Sequence, residues 1–205
     1  MRESTPADHN PTQTYRGILL AGPPASGKRT VTFALTSLRR SYAPFPALTV
    51  GSDTRVAAER TTQRHLDELK AWAQVFHEFT SDGARYVYDR ERLNRIREQG
   101  RIPVACVDDI DVLRAFEREA DDWLQVLLWC PREEAERRLA ATGVAPDRAA
   151  VRRWDRSEKG LLGDVRRFTV SIRTDRLNAV QVAQLVHHAA QSAVAAPAPA
   201  GSPVE

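Results

Sequence analysis

The sequence is poor in most of the features that mark a specialised class of protein. It has two cysteines, Cys106 and Cys130, each at or near the end of an apolar run, and no CxxC or Cys/His cluster. That argues against a thiolate metal centre and leaves two buried, reduced thiols as the expectation. No run of about 18 apolar residues is present, so no segment is expected to span a membrane. The N-terminus carries no apolar signal-peptide core, which makes the cytoplasm the expected location. Lysine is scarce: Lys28, Lys70 and Lys159 stand against a background of arginine, a compositional bias that implies no function by itself. A net charge of +3 is too small to argue for a nucleic-acid partner. Small molecules are therefore the expected partners, with no membrane or nucleic acid, and the chain is expected to be a monomer or homodimer.

What is present is an ordinary globular composition, 42% hydrophobic and 28% charged over 205 residues, enough for one domain with a sizeable core. Residues 1–14 are polar and proline-bearing, and residues 193–205 are alanine, proline and glycine; both ends are expected to be disordered. Residues 15–192 between them alternate short apolar runs with helical patterns. Strands are expected at 15–21, 47–50, 75–79, 85–88, 102–107, 124–129 and 168–172. Helices are expected at 28–40, 61–72, 90–99, 132–142, 147–158 and from 177. Asp89 is placed to N-cap the third helix and Gly100 to stop it, while Pro131 opens the fourth. Strands alternating with helices imply an α/β fold, a parallel sheet with helices on both faces. Ligands of such sheets bind at the carboxyl ends of the strands, which directs attention to the first strand-to-helix turn.

That turn reads Gly22, Pro23, Pro24, Ala25, Ser26, Gly27, Lys28, Arg29 and Thr30. The GxxxxGK spacing directly follows a strand and opens a helix, the context a phosphate-binding loop requires. Gly22 and Gly27 let the backbone turn successive N–H groups toward one anion, and the helix start adds its positive dipole end. Lys28 supplies a point charge that can follow a transferring phosphoryl group. Arg29 stands where serine or threonine commonly ligates magnesium, and Thr30 follows one residue later as the candidate on the magnesium side. The expected cofactors are ATP and Mg.

Five segments in order resemble the guanylate kinase family, and the similarity runs over nearly all of residues 15–190. GPPASGKRTV is similar to that family's phosphate loop. EFTSDGARYVY resembles the stretch in which a glutamate precedes a Tyr-Gly-Thr that contacts the nucleotide. GRIPVACVDDID resembles the strand ending in an aspartate that serves the acceptor base. LLWCPREEAERRLAATG resembles the strand, proline and lid, and DRAAVRRWDRSEKG the arginine-bearing helix after it. The sequence departs from the pattern at three places. The acceptor loop offers only Thr54, Arg55 and Arg60, the Tyr-Gly-Thr is Tyr86-Val87-Tyr88, and the lid's second arginine is Thr142.

The resemblance implies a P-loop three-layer sandwich with small acceptor-binding and lid segments, and Mg-ATP-dependent phosphoryl transfer to a nucleoside monophosphate such as GMP. It implies that Arg55, Arg60, Glu78, Tyr86 and Asp108 face the acceptor, and that Arg138 and Arg153 act with Lys28 on the transferred group. Guanidinium suits phosphate, and an ionised carboxylate accepts from a purine amine. Each has a plainer alternative: Asp108 as a strand-end aspartate or helix cap, Glu78 as an exposed charge, the arginines as solvated helix faces. His77 reads as a packing or surface histidine. The same motifs also permit a kinase acting on a sugar phosphate or specialised metabolite, or an ATP-binding regulatory module without turnover.

Overall fold

The computed structural model describes residues 15–50, 58–81, 83–141 and 148–192. The expected disorder at residues 1–14 and 193–205, and the residues Thr54, Arg55 and Thr142, lie outside them. The apolar runs become parallel strands: β1 (Gly17–Ala21), β7 (Ile102–Val107) and β8 (Trp123–Trp129), with the shorter β2 (Tyr42–Pro44) and β9 (Val170–Arg173) at the edges. Their order is β2-β7-β1-β8-β9. Strand β1 is buried throughout because it is the central strand, flanked by β7 and β8 and covered on both faces.

The two-residue period of these strands divides the core. Leu19, Ala21, Ala105, Val107, Trp123 and Leu127 point to one face. Ile18, Leu20, Val104, Leu124, Val126 and Leu128 point to the other. The second face is covered by α1 (Lys28–Leu38) and α7 (Ala179–Gln191), through Val31, Leu35, Val182 and Val186. The first face packs on α3 (Arg90–Glu98) and α4 (Ile110–Glu119), through Leu93, Val112, Leu113 and Phe116. Burying each such large side chain contributes about 1.5–3 kcal/mol.

Three of the expected strands do not join the parallel sheet. β3 (Ala47–Val50), β5 (Val75–Ser81) and β6 (Ala84–Asp89), with the short β4 (Ala58–Arg60), form a second, mixed sheet in the order β4-β3-β6-β5. β5 and β6 pair as an antiparallel hairpin, because the connection between them is too short for a parallel crossover. One face of this sheet packs Leu48 and Val87 against Leu66 and Leu69 of α2 (Gln63–Ala71). The other turns Tyr86 and Tyr88 toward the main core.

Asp89 caps α3 as expected, its carboxylate accepting from the Arg92 amide at 2.7 Å, and Gly100 follows the helix at φ 67°. Sequence reasoning missed β2, β4 and α4. The helix expected at 147–158 is α6 (Arg148–Leu161), which runs on into a 3-10 turn, Leu162–Arg167. The helix after Pro131 is α5 (Arg132–Ala141). Among the described residues, no helix is long and apolar enough to cross a membrane.

Candidate functional site: a phosphate loop and two adjoining cavities

The loop leaves the end of β1, where the Gly22 amide donates to the Val107 carbonyl at 3.0 Å. Gly22, Ala25 and Gly27 adopt positive φ of 152°, 59° and 94°. Glycine at position 22 is required by space as well as by conformation. A Cβ there would stand 2.0 Å from the Leu128 carbonyl oxygen. Gly27 is the N-cap of α1 and provides no side-chain acceptor, and the first turn of α1 carries no acidic residue. The first-turn amides and the dipole end are therefore available to an outside anion. Lys28 folds back along the loop and donates from Nζ to the Gly22 and Pro23 carbonyls at 2.6 and 2.8 Å. Burial pushes its ammonium below the ordinary value, and the Asp108 carboxylate pulls the other way.

The loop is held from behind by a residue that sequence reasoning did not single out. Thr174, just after β9, donates from Oγ1 to the Ser26 carbonyl at 3.0 Å, and its amide donates to the Trp129 carbonyl at 2.8 Å. Arg138 of α5 joins this brace. Its Nη1 donates to the Ala25 carbonyl and to Thr174 Oγ1, both at 3.2 Å, its Nη2 to the Thr174 carbonyl at 2.8 Å, and its Nε to Glu134 at 2.7 Å. Nothing in the local sequence marks Thr174, because its role comes from the sheet bringing β8 and β9 side by side behind the loop.

Two cavities lie near the loop, and the loop lines the larger of them. The larger, about 990 Å³, is lined by Lys28, Arg29, Thr30, Cys106, Asp108 and Arg138, among others. Arg29 and Thr30 are exposed at its rim. The smaller, about 330 Å³, lies between β5, the β7–α4 turn and α6. Asp108 and Arg153 line both. They stand where the two cavities meet.

The remaining expected site residues are dispersed. Arg60 is exposed on β4 and lines neither cavity. Tyr86 is fully buried and stacked on Phe79, with ring centroids 5.1 Å apart. Glu78 borders the smaller cavity, yet its carboxylate is ion-paired with Lys70 at 2.6 Å and Arg85 at 3.2 Å. Asp108 does not cap α4; that is done by Asp109, whose carboxylate accepts from the Asp111 amide at 2.8 Å. The Asp108 carbonyl accepts from the Ser157 hydroxyl of α6.

Cys106 and Cys130 are both free. Burial pushes both thiols up, which opposes reactivity even though the Thr32 hydroxyl lies 3.4 Å from the Cys106 sulfur. Among the described residues no group of three or more His, Cys, Asp or Glu side chains is arranged to hold a metal.

A parallel sheet of this order, with a glycine-rich phosphate loop between its central strand and α1, defines a P-loop kinase fold. Guanylate kinase from Anaplasma phagocytophilum shares it, with a TM-score of 0.59 over 87% of this chain and 85% of that one, at 14% identity. Shikimate kinase from Acinetobacter baumannii, solved with shikimate, aligns over 87% of this chain and 94% of its own, at 19% identity and a TM-score of 0.48. No protein-family model matches the sequence, and no curated protein does. At these identities the likeness is one of fold, and the guanylate kinase-like fold implied by the five sequence segments is the fold observed.

Proposed function

We propose that the protein transfers a phosphoryl group from Mg-ATP to a small acceptor, a nucleoside monophosphate such as GMP. The observation that carries this reading is a pair of cavities that share Asp108 and Arg153, the larger of them lined by the phosphate loop. The loop amides and Lys28 would hold the donor phosphates in the larger cavity, and the acceptor would enter the smaller one. Magnesium is usually held by one or two protein oxygens together with substrate phosphates, so the want of a metal cluster among the described residues is no obstacle. The Thr30 hydroxyl and the Asp108 carboxylate line the larger cavity and are the oxygens that fit that role. Bound there, the ion would neutralise charge developing on the phosphates. This chain's own contribution is to position the two partners and to supply the Lys28 and Arg153 charges.

A second reading is a nucleotide-binding module without turnover. It is favoured by Arg29 at the position after the loop lysine and by the full engagement of Arg138 in bracing the loop.

The deciding experiment measures ADP release from Mg-ATP against GMP, AMP, CMP and UMP. Acceptor-dependent release that falls about 10²–10³-fold in kcat with Lys28→Ala supports the kinase. ATP binding without release for any of the four would rule out the monophosphate-kinase reading and leave the module.

A further inference from the structure

A trans peptide is planar, with its carbonyl and its N–H pointing in opposite directions, so a partner that holds one aims the other. Two consecutive peptides of the phosphate loop are held in this way. The Ala25 carbonyl accepts from Arg138 Nη1 at 3.2 Å, and the Ser26 amide of the same peptide turns the other way to donate to the Pro23 carbonyl at 3.2 Å. The Ser26 carbonyl accepts from Thr174 Oγ1 at 3.0 Å, which turns the Gly27 amide away from Thr174. That amide has no acceptor among the described residues, and it adjoins the open first turn of α1. Ala25 takes φ 59°, a conformation that is costly for a residue with a side chain and persists only where its surroundings hold it. Its methyl packs on Cys130, Ala135 and Trp154 while Arg138 holds its carbonyl. Thr174 is buried, and Arg138 commits Nε, Nη1 and Nη2 to Glu134, Ala25 and Thr174.

We propose that Thr174 and Arg138 are positioning residues: together they fix the peptide planes on either side of Ser26, so that the Gly27 amide faces the phosphate of a bound donor. Neither touches the phosphate itself. Arg138 acts through Thr174 and the Ala25 carbonyl, where the resemblance to guanylate kinases implies a cation on the transferred group. The inference rests on the phosphoryl-transfer reading only as far as the loop binds phosphate. The hydroxyl chemistry suits it. Thr174 Oγ1 has one hydrogen, and the donation it accepts from Arg138 Nη1 at 3.2 Å leaves that hydrogen for a carbonyl. Ser26 at 3.0 Å and Trp129 at 3.3 Å are the two within reach, and Ser26 is the nearer. An amide aimed before its ligand arrives needs no reorganisation when the ligand binds, so a side chain that does the aiming counts toward affinity without a contact of its own.

The test titrates the full chain, labelled with ¹⁵N-glycine, with tripolyphosphate as a base-free probe of the loop, and follows the Gly27 amide resonance alongside ADP release from Mg-ATP. Thr174→Val removes the hydroxyl at nearly constant shape, and Thr174→Ser keeps it. Tyr42→Phe, which cuts the bond to His187 outside both cavities, is the control for stability. Thr174→Val should weaken tripolyphosphate binding about tenfold, the equivalent of one hydrogen bond, and shrink the shift of the Gly27 amide, while Thr174→Ser restores both. Arg138→Gln should weaken binding as well, and the Thr174→Val, Arg138→Gln double variant no further than the worse of the two, because both act on one stretch of backbone. Tyr42→Phe should lower the melting temperature with the affinity unmoved. An affinity indifferent to Thr174→Val, in a protein that releases ADP, overturns the inference and leaves the kinase standing. So does an equal loss in Tyr42→Phe, which would mark general loosening. Additive losses in the double variant overturn it too, because Arg138 then meets the phosphate directly. The expected losses without ADP release for any monophosphate keep the inference and remove the kinase reading. No tripolyphosphate binding by the unaltered protein overturns both.

Discussion

Gly22 concentrates several demands at one residue. It begins the loop, takes a φ that side chains rarely adopt, and lies against the backbone of β8 so closely that a methyl group would overlap the Leu128 carbonyl. Gly83, in the β5–β6 turn, has φ 80° and nothing within 4 Å of the Cβ position. The two glycines therefore separate conformational strain from steric overlap. Gly83→Ala should cost about 1 kcal/mol, and Gly22→Ala above about 3 kcal/mol together with loss of ATP binding. Urea denaturation of the two variants checks the order; equal costs would mean that β8 yields and the close approach is unimportant. Lys28 and Arg138 show a second lesson at this scale. Both were expected from sequence to act on a transferred phosphoryl group, and both are held by backbone carbonyls of the loop, Lys28 at Gly22 and Pro23, Arg138 at Ala25. Cations so placed neutralise the loop's own carbonyl dipoles, which would otherwise repel a phosphate.

At the scale of elements, the β7–α4 turn matters most. Asp108 directly follows β7 and lines both cavities, Asp109 caps α4, and Asp111 falls in the helix's first turn, where its charge suits the dipole. The three aspartates have three distinct jobs because the chain changes from strand to helix between them. Removing the cap should loosen this turn: Asp109→Ala is expected to cost about 0.5–2 kcal/mol by chemical denaturation, and Asp109→Asn much less. Comparable losses in the two variants would point to the charge rather than the cap. α4 itself escaped sequence reasoning although Val112, Leu113 and Phe116 recur at helical spacing. β1 is the opposite case. Its run of five apolar residues directly before a GxxxxGK could only be a buried strand feeding the loop.

For the whole molecule, two histidines tie stability to pH. His77 lies below the ordinary 6.5 because of burial, then Arg118; His187 lies below it because of burial, then Arg39 and His188. His187 is also bonded through Nδ1 to the Tyr42 hydroxyl at 2.7 Å, joining α7 to β2. With both folded values depressed, the unfolded chain binds more protons as pH falls through 6.5, so their contribution is present above 6.5 and is lost on acidification through the folded values. Asp89 runs the other way: burial raises its carboxyl above 3.8, so its contribution is present in acid and is lost as pH rises through the folded value. The melting temperature should fall from about pH 7 to about pH 5, and fall less in a His77→Gln, His187→Gln double variant. Parallel curves for the two proteins would show that neither imidazole is held neutral by the fold.

The sequence by itself determined the parallel core, the phosphate loop and the capped helix α3, because each rests on local physics: apolar runs that must be buried, glycines that must turn, and an aspartate followed by a helical pattern. It also carried the likeness to guanylate kinase in fold. Only the tertiary structure decided which strands leave the parallel sheet, since β5 and β6 look like any other strands until their hairpin makes them antiparallel. That decision sets the parity of β5, turning His77 toward the face packed on the main core and Glu78 toward Lys70 and Arg85. It likewise placed Thr174 behind Ser26, residues 148 positions apart in the chain. Such contacts depend on register and on the order of strands in space, and neither quantity is written in any one segment of the chain.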